Sequence, residues 1–192
     1  MSDLSSIIID SDHEFRFYVT QVKWDILINN YEQPRNFVAD LEQKISSMDY
    51  VETHYDEVVS LCEDLSLREC LFYLGHALEE HSLPFKPGEK TRLVLLTALK
   101  TFSVSQIYSF IWRAVKDAAS FHMRKNVARH HAANTVVGNI SSQTEKAIAN
   151  NWTVSSYRRN YDYPQPTVRK ILYNNLLHTD DGGFNQPLNK VI

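Results

Sequence analysis

"SVSQIYSFIWRAVKDAASFH", Ser103 to His122, sets the fold class. It opens on Ser103-x-x-Gln106, where the serine hydroxyl can accept from the backbone N–H three residues on. The glutamine side chain can accept in turn from the serine N–H. Ile107, Phe110, Ile111, Ala114, Val115, Ala118 and Phe121 then recur at steps of three and four, the apolar face of one α-helix.

The same spacing extends in both directions. Upstream, Ser11-x-x-Glu14 followed by Phe15, Val19, Val22 and Ile26 predicts a helix near 12–30. Pro34 suits a first helical position, and Phe37, Val38, Leu41 and Ile45 line a helix to about 47. Val51, Tyr55, Val58, Val59 and Cys62 predict a third near 49–63. Ser66-x-x-Glu69 is a further capping box, opening "LRECLFYLGHALEEH", which should end before Pro84. "LPFKPGEK", with two prolines and a glycine, is the clearest loop. Thr91 to Lys100 is Leu-rich and reads as a buried helix.

Downstream, Val136, Val137, Ile140, Thr144, Ala147 and Ile148 predict a helix across about 128–150. "WTVSSYRRNYDYPQP" then breaks the period. Aromatic and β-branched residues make it a short extended segment near 152–163. Pro166 starts a last helix through Val168, Ile171, Leu172 and Leu176. "TDDGGFNQPLNKVI", 179–192, is a polar tail that is ordered only if it docks. These elements sum to an all-α fold of seven to eight helices in a single helical domain over 1–178. The loop at 83–90 is the one candidate internal boundary.

Composition agrees with a globular chain: 43% hydrophobic and 22% charged residues, with five glycines in 192. Cys62 and Cys70 fall in stretches of helical apolar spacing and read as buried free thiols. No run approaches the length of a membrane span, and no charged-then-apolar leader opens the chain. The expectation is a cytoplasmic protein without a membrane partner. No HExxH, paired CxxC, calcium-loop spacing or glycine-rich phosphate loop occurs, so no metal and no cofactor is expected.

Charge is unevenly placed. Residues 1–100 carry 9 Lys/Arg against 18 Asp/Glu, a net −9. Residues 101–192 carry 11 against 5, a net +6. Between Ala118 and Tyr161 the one acid is Glu145. The leading expectation is therefore a non-enzymatic helical binding protein whose basic half meets an anionic partner, nucleic acid or an acidic protein. The alternative is a homo-oligomer, or a self-packed chain, whose acidic and basic halves attract each other.

Two stretches carry candidate contacts. "HMRKNVARHHAAN", His122–Asn134, is a helix junction rich in cations, with Arg124, Lys125, Arg129 and His131 as anion contacts. Cations there would oppose the dipole of the helix they end. Trp152, Tyr157, Arg158, Arg159 and Tyr161 interleave aromatic faces with guanidinium groups, the means by which single-stranded RNA or DNA is stacked and neutralised. A helix-turn-helix reading of "LLTALKTFSVSQIYSFIWRAV" lacks the polar face that a groove-reading helix needs.

Arg124 followed after five residues by His130 resembles the Arg–His motif of HEPN-type ribonucleases, small all-α proteins that cleave RNA without metal. The resemblance spans this short motif and the all-α class, and Lys125 stands where a polar residue often follows the arginine. It implies His130 as a proton-transfer group at the ribose 2′-hydroxyl and Arg124 as a charge stabiliser at phosphorus. That makes a metal-independent ribonuclease the enzymatic alternative.

Overall fold

Helix Val104–Lys125 begins where the sequence places it. Ser103 sits at the N-cap with extended backbone, its hydroxyl accepts from Gln106 N at 3.3 Å, and Gln106 Oε1 accepts from Ser103 N at 3.0 Å. In the computed structural model, the structure describes residues 7–9, 15–17, 39–40, 43–44, 48–160 and 164–192. The chain divides into two compact units, Met1–Leu41 and Glu42–Ile192, each described by itself. The 83–90 loop lies within the second unit.

In the first unit, strands β1 (Ile7–Ile9) and β2 (Phe15–Phe17) pair antiparallel, with Ile8 opposite Arg16. This corrects the expected helix near 12–30 at residues 15–17: Phe-Arg-Phe alternates with period two and takes a strand partner. The remainder of that span lies outside the described residues, as does most of the helix expected up to residue 47. Residues 39–40 and 43–44 are helical.

The second unit is all-α. Its described elements are α1 (Met48–Thr53), α2 (Tyr55–Glu80), α3 (Glu89–Leu99), α4 (Val104–Lys125) and α5 (Arg129–Ala149). Then come α6 (Thr167–Lys170), which passes into a π-helical turn Ile171–Leu176, α7 (Gly182–Asn185) and a 3-10 turn Leu188–Lys190. None of the described helices is long and apolar enough to cross a membrane.

α4 is the central element. Ile107, Phe110, Ile111, Ala114, Val115 and Ala118 are all buried on it, as the spacing predicts. It packs against α5 through Ala132, Ala133, Val136 and Ile140 and against α2 through Leu67, Cys70, Leu74 and Ala77. α3 closes the same core with Leu95, Ala98 and Leu99. Both cysteines are free and buried. Burial pushes the Cys70 thiol strongly up, Glu69 adds to the shift, and the group stays neutral.

The junction of α4 and α5 is a three-residue link. Asn126 takes the left-handed backbone (φ 48°) that asparagine tolerates after a helix end. His122 closes the link, its Nδ1 lying 2.6 Å from the Val127 carbonyl.

Two expectations need correction in α2. There is no helix start at Ser66: one helix runs unbroken over 26 residues, and the real interruption lies at His54. Ser66 is buried, with its Oγ 3.4 Å from Arg169 Nη1. A serine caps only where the backbone leaves the helix. Here Val58, Cys62, Leu67, Cys70 and Leu74 bury a continuous stripe, and that packing outweighs the local preference.

The polar tail docks. Phe184 inserts into the main core, and a second cluster joins Val58 and Cys62 of α2 to Leu172, Tyr173 and Leu176 of the π-helical turn. Residues 152–160 form neither helix nor strand. They are tied down by Tyr157 N–H donating to Ser105 O at 2.9 Å and by Gln106 Nε2 donating to Val154 O at 3.3 Å.

Candidate functional site

Two regions of the second unit concentrate polar chemistry. The first is buried. Glu69 lies on the inner face of α2, where the helical stripe that includes Cys62 and Ser66 brings it into the protein. Arg159 donates from Nη1 to Glu69 Oε1, and from Nε and Nη2 to the two carboxylate oxygens of Asp181, each at 3.0 Å. Arg169 reaches the same glutamate from α6, its Nε 2.9 Å from Glu69 Oε2, with 1% of its side chain exposed.

Aromatic rings complete the environment. The Arg159 guanidinium lies 4.2 Å over Phe184, and that of Arg169 lies 4.7 Å over Tyr173. Burial alone would disfavour the charge on Arg159. Its bond to Asp181 and its pairing with Glu69 outweigh that and raise its pKa. Tyr108, stacked on Tyr73 at 3.8 Å, is pushed far above the ordinary phenol range by burial and by Glu69, so it stays protonated. The Tyr73 phenol is itself pushed up to about 12, mainly by burial.

Beside this network lies a cleft of about 510 Å³. Leu65, Phe72, Pro164 and Pro166 form its apolar walls, and Glu69, Tyr108, Arg159 and Arg169 its polar side.

The second region is exposed. Trp112 projects from α4, 38% accessible, with Lys116 Nζ 4.2 Å over its ring. Tyr157 meets Trp112 edge to face, ring centroids 6.1 Å apart. Arg113 on the same stretch of α4, Arg158 and Trp152 are exposed as well. Arg113 is close enough to pull the Tyr157 phenol down, against a larger upward push from burial.

The expected contact residues therefore separate into three groups. Arg124 and Lys125 end α4, and Arg129, His130 and His131 begin α5; all five are exposed. Arg124 Nε donates to the Ser120 carbonyl at 3.4 Å, and no hydrogen bond or ion pair joins Arg124 to His130. Trp152, Tyr157 and Arg158 lie past the other end of α5. The 21 residues of that helix, about 30 Å long, stand between Arg129 and Trp152. Arg159 forms the third group: the anions it meets are Glu69 and Asp181 of its own chain. Tyr161 lies outside the described residues.

Sequence reasoning missed Glu69, Asp181, Arg169, Trp112 and Lys116. A signal existed for Glu69. A carboxylate seven residues from Cys62, on the stripe that a helix must bury, requires a buried cation. Its partners lie 90 and 100 residues along the chain, where no local pattern links them.

Among the described residues, no group of three or more His, Cys, Asp or Glu is placed to hold a metal ion. Fold and site together define a class, an all-α protein with a buried Arg–carboxylate network beside an apolar cleft and an aromatic–cationic outer face. No protein-family model matches the chain, and no curated protein or solved structure matches it either.

Proposed function

We propose that the protein binds single-stranded nucleic acid on the face made by Trp112, Arg113 and Lys116 of α4 with Trp152, Tyr157 and Arg158. The observation that carries this reading is the Lys116–Trp112–Tyr157 arrangement, with exposed arginines on both contributing segments. A base stacks on an exposed ring whatever its identity, and the flanking cations neutralise phosphate. A partner made of acidic protein would use the cations but leave the exposed rings without a role.

Anisotropy of a labelled single-stranded RNA tests this. Three phosphate contacts, from Arg113, Lys116 and Arg158, give log Kd a slope of about 2 against log salt. Trp112→Ala should weaken binding by about 5- to 100-fold through loss of stacking. No binding at low salt, or a Trp112→Ala protein that binds as wild type, would overturn the reading.

One observation supports a second reading. Arg124 in the last turn of α4 and His130 in the first turn of α5 are both exposed and flank the same three-residue link. A metal-independent, HEPN-like ribonuclease would place them so. RNA incubated with the protein in the presence of a chelator should then be cleaved by wild type and left intact by His130→Ala. Equal cleavage by both, or none by either, removes this reading.

A further inference from the structure

The cleft beside the buried network has features of a ligand site that the nucleic-acid reading does not use. Its volume of about 510 Å³ falls in the range of small-molecule sites, and its walls of Leu65, Phe72, Pro164 and Pro166 suit an apolar body. The polar side is charge-balanced. Arg159 and Arg169 meet Glu69 and Asp181, and at the cleft's edge Arg68 pairs with Asp64 at 2.6 Å.

Hydrogen bonding is not balanced. Three of the four oxygens of Glu69 and Asp181 accept hydrogen bonds from Arg159, while Glu69 Oε2 meets Arg169 Nε at 2.9 Å as an ion pair without a hydrogen bond. Arg169, which lines the cleft and is almost fully buried, has no hydrogen-bond partner for Nε or Nη2 among the described residues. Arg159 has five N–H groups, and among the described residues its three nitrogens donate once each. The site thus has spare donors and one spare acceptor at zero net charge. An ion of either sign entering it would leave an uncompensated charge against an apolar wall. A neutral head that accepts from Arg169, and can donate to Glu69 Oε2 where it carries an N–H, avoids that penalty.

From the orphaned Arg169 donor, the charge balance and the apolar walls, we infer that this cleft binds a small neutral molecule with an apolar body and a carbonyl or amide head. The head accepts from the guanidinium side, and the body lies along Phe72 and Leu65.

Calorimetric titration of the full chain with three eight-carbon probes, octanamide, octanoate and octylammonium, separates the charge types. Octanamide should bind with Kd on the order of 0.1 mM. Octanoate and octylammonium should each bind at least about tenfold more weakly. Because Arg169 is buried in the ion-pair network that holds the fold, the site is located with Phe72→Ala, which alters an exposed wall residue. That variant should remain folded in a thermal melt and lose octanamide affinity by about fivefold or more. Three results overturn the inference: no octanamide binding up to its solubility limit, octanoate or octylammonium binding as tightly as octanamide, or unchanged affinity in Phe72→Ala.

Discussion

Glu69→Ala should destabilise the protein by about 3–5 kcal/mol, among the largest effects of any single substitution in the second unit. The glutamate is buried on α2 and receives two guanidinium groups, from Arg159 and from Arg169. Removing it leaves Arg159 with Asp181, but Arg169 keeps only a long contact to Ser66 at 3.4 Å and the face of Tyr173. A fully buried charge is then uncompensated, the costly case for an ion pair. For a chain of this size the melting temperature should fall by about 10 °C. Arg68→Ala provides the contrast. Its pair with Asp64 is short, 2.6 Å, but both side chains are exposed, so its loss should cost less than about 1 kcal/mol. Thermal melts of the two variants side by side decide the point. Equal small losses would mean that Glu69 is not the counter-ion that the packing requires.

Gly183→Ala should also be strongly destabilising, by about 3 kcal/mol, although alanine normally favours a helix over glycine. Gly183 lies in α7, and a Cβ there would fall among the Tyr173 ring atoms Cζ, Cε1 and Cε2. Tyr173 is itself fully buried in the π-helical turn, so the ring has nowhere to retreat. Either the ring or α7 must move, and α7 carries Phe184 into the main core. Gly138→Ala on α5 is the matched control, because nothing lies within 4 Å of a Cβ at that position. Denaturant melts should show a large loss for Gly183→Ala and none for Gly138→Ala. A stable Gly183→Ala protein would show that α7 does not seal against Tyr173.

These two positions show where local sequence patterns stop informing. Gly183 stands in a stretch, "TDDGGFNQP", that reads as a polar tail ordered only on docking. Its one large apolar residue, Phe184, is enough to anchor the segment once a core exists to receive it. Glu69 belongs to a capping-box pattern at Ser66, and the pattern is real as a sequence feature. It is not used, because the apolar stripe of α2 continues through it. Ser103-x-x-Gln106 is used, because the chain does turn there between α3 and α4. The two boxes are chemically alike and differ only in what the surrounding residues bury.

The charge asymmetry has a comparable double meaning. A −9 half and a +6 half suggested either an outside anion or attraction within the chain. Arg159 and Arg169 resolve inward, onto Glu69. Arg113, Lys116, Arg124, Lys125, Arg129 and Arg158 stay exposed. Attraction within the chain thus accounts for the two buried arginines, and the exposed cations are the ones open to the proposed nucleic acid.

By itself the sequence determined the all-α class of the second unit, the start of α4 at Ser103, the α4–α5 junction and the start of α6 at Pro166. Helix periodicity and capping act within about one turn, so they are written locally. Tertiary structure alone decided that Phe15–Phe17 pairs as a strand, that α2 is unbroken at Ser66, and that the tail folds back onto the core. It also brought Arg159 and Arg169 to a glutamate 90 and 100 residues away and set Trp112 against Tyr157. Those outcomes depend on which distant surfaces exclude water from one another, and no local pattern encodes that.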